Sequence, residues 1–189
     1  GFEAVRNIAI TVLLFEHLQD KANANYLKGE FLRANLAGIL SKDIAAHLKA
    51  RDVEQVFICA VFNNLGRLLS QFYFPEESEE IRALMTQKGL SETVASQRVL
   101  GIPFDELGMG IARSWGFPPI IIDSMQRLPD GDVPRAHSPA ERLRNLSAYA
   151  NALCATIAGT LAAERDKALA RVVARFGDSV AVPRKELDQ

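Results

Sequence analysis

The sequence predicts an all-α protein, a multi-helix bundle without a sheet. Apolar residues recur at the three- and four-residue spacing of amphipathic helices along almost the whole chain. No run alternates apolar and polar residues for long enough to predict a strand. Glycines, prolines and N-capping residues divide the pattern into segments of ordinary helical length.

The first half of the chain predicts three long helices, over residues 2–21, 25–50 and 53–73. Asp52 is placed to cap the third helix, and Gln55 follows three residues later in the capping-box position. The third segment is apolar on nearly every side, as is typical of a helix at the centre of a bundle. We therefore expect the other helices to surround residues 53–73.

Four shorter helices are predicted next, over residues 75–88, 91–100, 103–115 and 118–128. Prolines stand in the first turn of several of these segments, where a missing amide hydrogen costs nothing. Ser91 is a typical N-cap, and Gly89 and Gly101 are typical of helix ends.

Residues 129–137 form a polar, turn-rich segment that predicts a linker. Ser138, Pro139 and Glu141 then combine an N-cap, a first-turn proline and a capping-box glutamate. They predict a long helix to about residue 165, a further helical stretch to residue 176, and a frayed last dozen residues. The predicted organisation is a helical core over residues 1–128, the linker, and a C-terminal helical extension over residues 138–189. Because the first residue is not Met and the helical pattern starts at once, we expect the core to lack an upstream piece.

Composition excludes several classes of function. The chain has 189 residues, 48% apolar and 24% charged, as is usual for a folded soluble domain. Twenty-two basic against 23 acidic residues give a net charge of −1, which offers no general attraction to nucleic acid or to an anionic membrane. No signal peptide or membrane span is evident. Cys59 and Cys154 lie in apolar helical segments and are expected to be reduced thiols in a cytoplasmic protein.

Histidine and cysteine ligands for a metal are scarce, since only three histidines and two cysteines are present. His17, His47 and His137 do not pair at helical spacing, and no cysteine pair stands near them, so the pattern does not predict a zinc site. No glycine-rich phosphate loop and no nucleophile elbow is present either.

Two neighbouring amides stand out inside the most apolar helix, in Phe62-Asn63-Asn64-Leu65-Gly66. Buried amides are costly unless they find hydrogen-bond partners. About 40 residues later come Leu100-Gly101-Ile102-Pro103-Phe104-Asp105-Glu106-Leu107-Gly108 and then Trp115-Gly116-Phe117-Pro118. With the opening Gly-Phe-Glu-Ala-Val-Arg-Asn, these segments resemble the HDOD family, the HD-related output domain of bacterial signalling proteins. The resemblance covers most of residues 1–128 and implies the fold of the HD-domain phosphohydrolases.

The resemblance also indicates where the metal ligands of catalytic HD proteins would lie. Those positions fall at Ala34, Asn63, Asn64, Phe104 and Asn151. Alanine and phenylalanine offer no lone pair, and neutral amides do not supply the charge that a divalent metal requires. The expectation is therefore no metal, no cofactor and no phosphohydrolase activity, with the three asparagines forming a buried amide network or, as the alternative, binding a ligand. Trp115 is expected to be a packing anchor, with a contact role left open.

The function that the resemblance implies is a non-catalytic regulatory or output module, for example of a response regulator, acting through protein–protein interaction. Its expected partners are an upstream receiver or sensory domain and a further, unidentified protein. The alternatives are a divergent HD-type metal-dependent phosphohydrolase and a small-molecule sensor that uses the vestigial cavity. Signalling requires an element with two states, and the candidates are the linker over residues 129–134 and the helix that starts at Ser138.

Overall fold

The computed structural model describes residues 24–48, 50 and 53–180, and these residues form nine helices and no strand. The prediction of an all-α, multi-helix fold is confirmed. The predicted helix over residues 2–21, the cap at Asp52 and the tail after residue 180 lie outside the described residues. The helices are α1 (Ala24–His47), α2 (Val53–Phe62), α3 (Leu65–Tyr73), α4 (Pro75–Lys88), α5 (Glu92–Leu100), α6 (Phe104–Ser114), α7 (Pro119–Ser124), α8 (Pro139–Gly159) and α9 (Ala162–Phe176).

Local capping determines several of these boundaries. The Ser91 hydroxyl accepts a hydrogen bond from the amide of Val94 and starts α5. Gly89 and Gly101 end α4 and α5 with φ of 63° and 74°, in the left-handed region that favours glycine. The predicted ends of these helices are therefore confirmed.

The start of α8 is a complete capping box. The Ser138 hydroxyl accepts from the amide of Glu141 at 3.1 Å, and the Glu141 carboxylate accepts from the amide of His137 at 2.6 Å. The hydrogen bond from the His137 amide, with a smaller contribution from the backbone amide of Ser138, lowers the pKa of the Glu141 carboxyl.

The predicted single helix over residues 53–73 is wrong, because the chain breaks at Asn63 and Asn64 into α2 and α3. The Asn64 amide donates to the carbonyl of Val61 in a tight turn, and the Asn64 side chain donates to the carbonyl of Ala60. An asparagine side chain that binds nearby backbone competes with the helical hydrogen-bond ladder. The chain changes direction at this break, although the apolar pattern of the sequence predicts one continuous helix.

Two other predicted helices are too long. The segment over residues 138–165 ends at Gly159, where Thr160 is extended and α9 begins two residues later. Glycine and a β-branched residue are both weak helix formers, which explains the stop. The segment over residues 118–128 ends at Ser124, and Met125 and Leu128 continue as non-helical chain with their side chains buried.

One apolar core joins most of the described helices. The helix α8 packs against α1, α2, α7 and α9, and α2 packs against α1, α7 and α8. The main core holds large side chains from both sides of the predicted linker, among them Val56, Phe62, Leu146 and Phe176. This one cluster spans residues 129–137, and the division of the chain at that segment stays a prediction. Over the described ranges, no helix has the length and apolar character needed to cross a membrane.

A close crossing of α3 and α6 brings the start of α6 to the helix break. A Cβ atom at Gly66 would overlap the carbonyl oxygen of Phe104 and would lie 3.0 Å from the amide nitrogen of Gly108. A Cβ at Gly108 would likewise lie 2.9 Å from the amide nitrogen of Gly66. The two helices therefore touch backbone to backbone, and this contact places the start of α6, with Phe104, against Gly66.

Candidate functional site

The structure brings Asn64, at the break between α2 and α3, together with Asn151 of α8. The Asn64 side chain donates to the Asn151 Oδ1 atom at 2.5 Å and to the carbonyl of Ala60 at 3.2 Å. The Asn151 side chain donates to the carbonyls of Ala60 and Ser147, at 3.0 and 2.9 Å. Two of these hydrogen bonds, Asn64–Asn151 and Asn151–Ala60, therefore tie the corner of the chain to α8 across about 90 positions of sequence.

A guanidinium completes this network. The Nη1 atom of Arg67 donates to the Oδ1 atom of Asn64 at 2.8 Å. Its Nε and Nη2 atoms donate to the two carboxylate oxygens of Glu92 at 2.7 and 2.6 Å, which is a bidentate pair. The Oε2 atom of Glu30 lies 3.8 Å from the Nη1 atom, so Arg67 connects α3 with α1 and α5.

The charges at this centre nearly balance. Burial by itself lowers the pKa of Arg67, but the carboxylates of Glu92 and Glu30 outweigh it, and the pKa is raised. Arg67 therefore remains a cation. Glu30 is also paired with Arg33 at 2.6 Å through its Oε1 atom, while its Oε2 atom is buried without a hydrogen-bond partner.

The sequence analysis did not identify Arg67, Glu30 or Glu92. For Arg67 a signal existed: it is the first charged residue after the uncharged run over residues 55–66, and it lies three residues after Asn64, which puts both on one helical face. No comparable signal marks Glu30 or Glu92, because they are ordinary surface-type residues of two distant helices.

A cleft of about 330 Å³ lies next to this centre. It is lined by Asn63, Arg67 and Glu92 on one side, and by Arg175 and Phe176 of α9 on another. Phe104 lines it as well. Within the part of the chain that is described, the side-chain amide of Asn63 makes one hydrogen bond, a long one of 3.4 Å to the carbonyl of Ser124. Asn63 therefore faces the cleft, apart from the network that Asn64 and Asn151 share.

The other predicted site residues occupy apolar surroundings. Ala34 is fully buried in α1, one helical turn after Glu30. Trp115 is partly buried at the end of α6, where its ring packs against Phe117 with 6.0 Å between ring centroids. It is not among the residues that line the cleft.

The donor set does not fit the metal centre of a catalytic HD protein. Across the described ranges, no group of three or more His, Cys, Asp and Glu side chains could hold a metal ion. The Asn64 Oδ1 oxygen, which could face a cation, already accepts from the guanidinium of Arg67. A fixed positive charge at 2.8 Å from that oxygen opposes a second cation there.

Neither cysteine provides a nucleophile to this site. Burial raises the pKa of Cys59 to about 11, and a hydrogen bond with Ser124 offsets only part of the effect. Burial also raises the pKa of Cys154, with Arg33 opposing the shift. Both thiols are protonated at neutral pH, and a thiol is a poor nucleophile compared with a thiolate.

A family model described as HDOD domain matches residues 1–129. No curated protein matches the chain. Among solved structures, a putative phosphohydrolase from Shewanella amazonensis SB2B is similar with a TM-score of 0.60 and 22% identity, over 85% of this chain and 56% of that one. An HDOD domain protein with unknown function from Geobacter sulfurreducens has a TM-score of 0.59 and 15% identity, over 79% and 53%.

A third similar structure is the MmoQ response regulator from Methylococcus capsulatus strain Bath, with a TM-score of 0.55 and 21% identity. The match covers 77% of this chain and 57% of that one. At these identities the likeness establishes the fold. The chain spans little more than half the length of the three solved structures.

Proposed function

The chain belongs to the HDOD domain family, and we propose that it is a non-catalytic regulatory module of a bacterial signal-transduction protein that acts through protein–protein contacts. The observation that carries the proposal is the hydrogen-bonded group of Asn64, Asn151 and Arg67. Asn64 and Asn151 stand where the family resemblance places metal ligands, and they hydrogen-bond to each other, while Arg67 donates to Asn64. A cytoplasmic location and an upstream receiver or sensory domain are parts of the same proposal.

The chemistry of the network supports the absence of phosphohydrolase activity. A metal-activated water requires a cation held by anionic or imidazole ligands. Here two neutral amides and a guanidinium occupy the centre, and its two carboxylates, Glu30 and Glu92, are committed to Arg33 and Arg67. Recruiting either carboxylate to a metal would leave a partly buried guanidinium, that of Arg33 or Arg67, without its closest counter-charge.

Metal analysis and an activity assay test the proposal together. The purified protein is loaded separately with iron, manganese and zinc, desalted, and assayed on cyclic dinucleotides beside an active HD-domain phosphodiesterase. We expect substoichiometric metal and no turnover. Stoichiometric metal accompanied by turnover would overturn the proposal in favour of a divergent phosphohydrolase.

The signalling part of the proposal has its own test. The response-regulator likeness of one similar structure supports it. The sequence of the complete gene product upstream of Gly1 is the decisive observation. A receiver domain with a phosphoacceptor aspartate there supports the proposal, whereas a second catalytic domain that needs this chain as a subunit contradicts it.

The cleft favours a second candidate function, a small-molecule sensor. Its volume of about 330 Å³ is within the range of ligand pockets. Asn63 and Phe104 supply an amide and an aromatic ring at its wall. A thermal-shift screen with nucleotides tests this candidate. A stabilising shift in the wild-type protein that Asn63→Leu abolishes would favour the sensor over the first proposal.

A further inference from the structure

The end of α9 is bound to the loop over residues 129–133 by three hydrogen bonds. The Nε and Nη2 atoms of Arg175 donate to the carbonyls of Gly131 and Pro129, both at 2.8 Å. The amide of Val133 donates to the carbonyl of Arg175 at 2.8 Å. The segment that the sequence predicts as a linker is therefore fastened to the last turn of the C-terminal helix.

Apolar contacts reinforce the same turn. Phe176 is 1% exposed and its ring packs on Tyr149 of α8 with centroids 5.1 Å apart. Val133 of the loop and Val180 after the helix are also buried in the main core. We name the segment over residues 175–180, with its contacts to this loop, the C-terminal latch.

The first half of α9 is held loosely, whereas Val172 and Val173 next to the latch pack against the main core. Most side chains of its first half are exposed, and Leu161 at its start is 78% exposed. Among the helices, α9 packs chiefly on α8. The connection to α8 is Thr160 and Leu161, which are extended and non-helical. A helix that is attached mainly at one end can detach as a unit, because few buried contacts must be lost.

The helix α8, by contrast, is not separable from the core. Its side chains Leu143, Leu146 and Tyr149 lie in the main cluster, and Asn151 joins the amide network. Of the two elements that the sequence suggests as movable, the loop can move only when the latch is released, and α8 is fixed.

The latch also forms one wall of the cleft, through Arg175 and Phe176. Release would open the cleft on that side and expose Tyr149 and Val133. We propose that the C-terminal latch is the two-state element of this domain: closed, it covers the cleft and the core, and open, it frees both without unfolding the remaining helices. This inference rests on the proposed regulatory function, since it names the element through which regulation would act.

Hydrogen exchange of the intact chain, read by NMR or mass spectrometry, tests the proposal. In the wild-type protein we expect the amides of α9 and of Val133 to exchange at least about tenfold faster than those of α2 and α8. Exchange of all these amides at one common rate would overturn the proposal, because the latch would then open only when the whole domain unfolds.

A matched pair of variants sharpens the test. Arg175→Ala removes both side-chain hydrogen bonds of the latch and should speed exchange at Val133 and α9 by about tenfold. Arg171→Ala removes an exposed arginine one turn earlier on the same helix. It should change the exchange rates at Val133 and α9 by less than about twofold. Equal effects of the two variants, or acceleration by Arg175→Ala that includes α2 and α8 equally, would refute the latch.

Proteolysis gives an independent readout. A lysine-specific protease should cut after Lys167 faster in Arg175→Ala than in Arg171→Ala, since both variants keep that site. Equal cutting rates would count against the latch. These readouts are independent of metal content and turnover, so failure of the latch and failure of the proposed function are distinguishable.

Discussion

Replacing Gly66 by alanine should destabilise the protein strongly, although alanine is the better helix former. The new Cβ would overlap the carbonyl oxygen of Phe104, and it would lie 2.7 Å from the carbonyl carbon of Phe104 and 3.0 Å from the amide nitrogen of Gly108. All three atoms belong to the backbone of α6, so no side-chain rotation relieves the overlap, and the whole helix must shift.

The expected magnitude follows from the cost of overpacking. Inserting a methyl group into a packed interior costs about 1–3 kcal/mol when side chains can adjust. An overlap with backbone atoms should cost as much as the upper end of that range or more. We therefore expect the free energy of unfolding to fall by about 3 kcal/mol or more. For a domain of this size that lowers the melting temperature by roughly 6–12 °C.

Gly110→Ala is the matched control. Gly110 lies in the same helix α6, and a Cβ there would meet no heavy atom within 4 Å. The helix propensity of alanine should then raise the free energy of unfolding by about 0.5–1 kcal/mol. Urea unfolding followed by circular dichroism measures both variants. A Gly66→Ala protein as stable as the wild type, with an unchanged m-value, would show that α3 and α6 are not in backbone contact.

Three further predictions concern the amide network and the buried thiol. Asn64→Leu should lower the free energy of unfolding in urea by about 2–4 kcal/mol, because it leaves the partners of Asn64 buried and unpaired. The control Asn35→Leu removes a hydrogen bond within one helix and should lower it by less than about 1 kcal/mol. Equal losses in the two variants would contradict the network. A double-mutant cycle of Arg67→Met and Glu92→Gln should give a coupling energy of about 1 kcal/mol. The value is modest because both side chains keep about 30% exposure and water weakens the ion pair. A coupling energy near zero would show that the bidentate pair does not form. The folded-state pKa of Cys59 lies above its unfolded value of 9.0, at about 11, so the unfolded chain ionises first, and the free energy of unfolding should fall by about 2 kcal/mol as the pH rises from 9 to 11. Urea unfolding midpoints measured across this pH range test the prediction. Cys59→Ala should reduce the dependence of stability on pH, and an unchanged dependence in that variant would assign the effect to other groups.

Local signals predicted most helix boundaries, because caps act within a few residues. Ser91, Gly101 and Ser138 cap helices at the ends that the sequence predicts, and each cap depends on the adjacent turn of helix. The same locality explains the errors. The helical spacing of apolar residues continues on both sides of Asn63 and Asn64, so the spacing alone does not predict the turn that the hydrogen bonds of Asn64 mark in the structure.

The candidate site was predicted in part. The Asn63–Asn64 pair and Asn151 were identified from their chemistry and from the family resemblance, and the structure joins Asn64 to Asn151 while it leaves Asn63 on the cleft. Phe104 does line the cleft, whereas Ala34 is packed inside α1.

Residue type and short-range spacing are enough to predict the all-α class, most helix caps and the small number of histidine and cysteine ligands. The place of Arg67 between Glu30 and Glu92, and the hydrogen bonds of Arg175 to the loop over residues 129–133, arise from helix packing and are visible only in the folded chain. The Arg67–Glu92 partners are 25 positions apart, and those of Arg175 are more than 40 positions apart. A charge or carbonyl pair at such separation leaves no periodic trace in the sequence, since helix packing alone brings its members within hydrogen-bond distance.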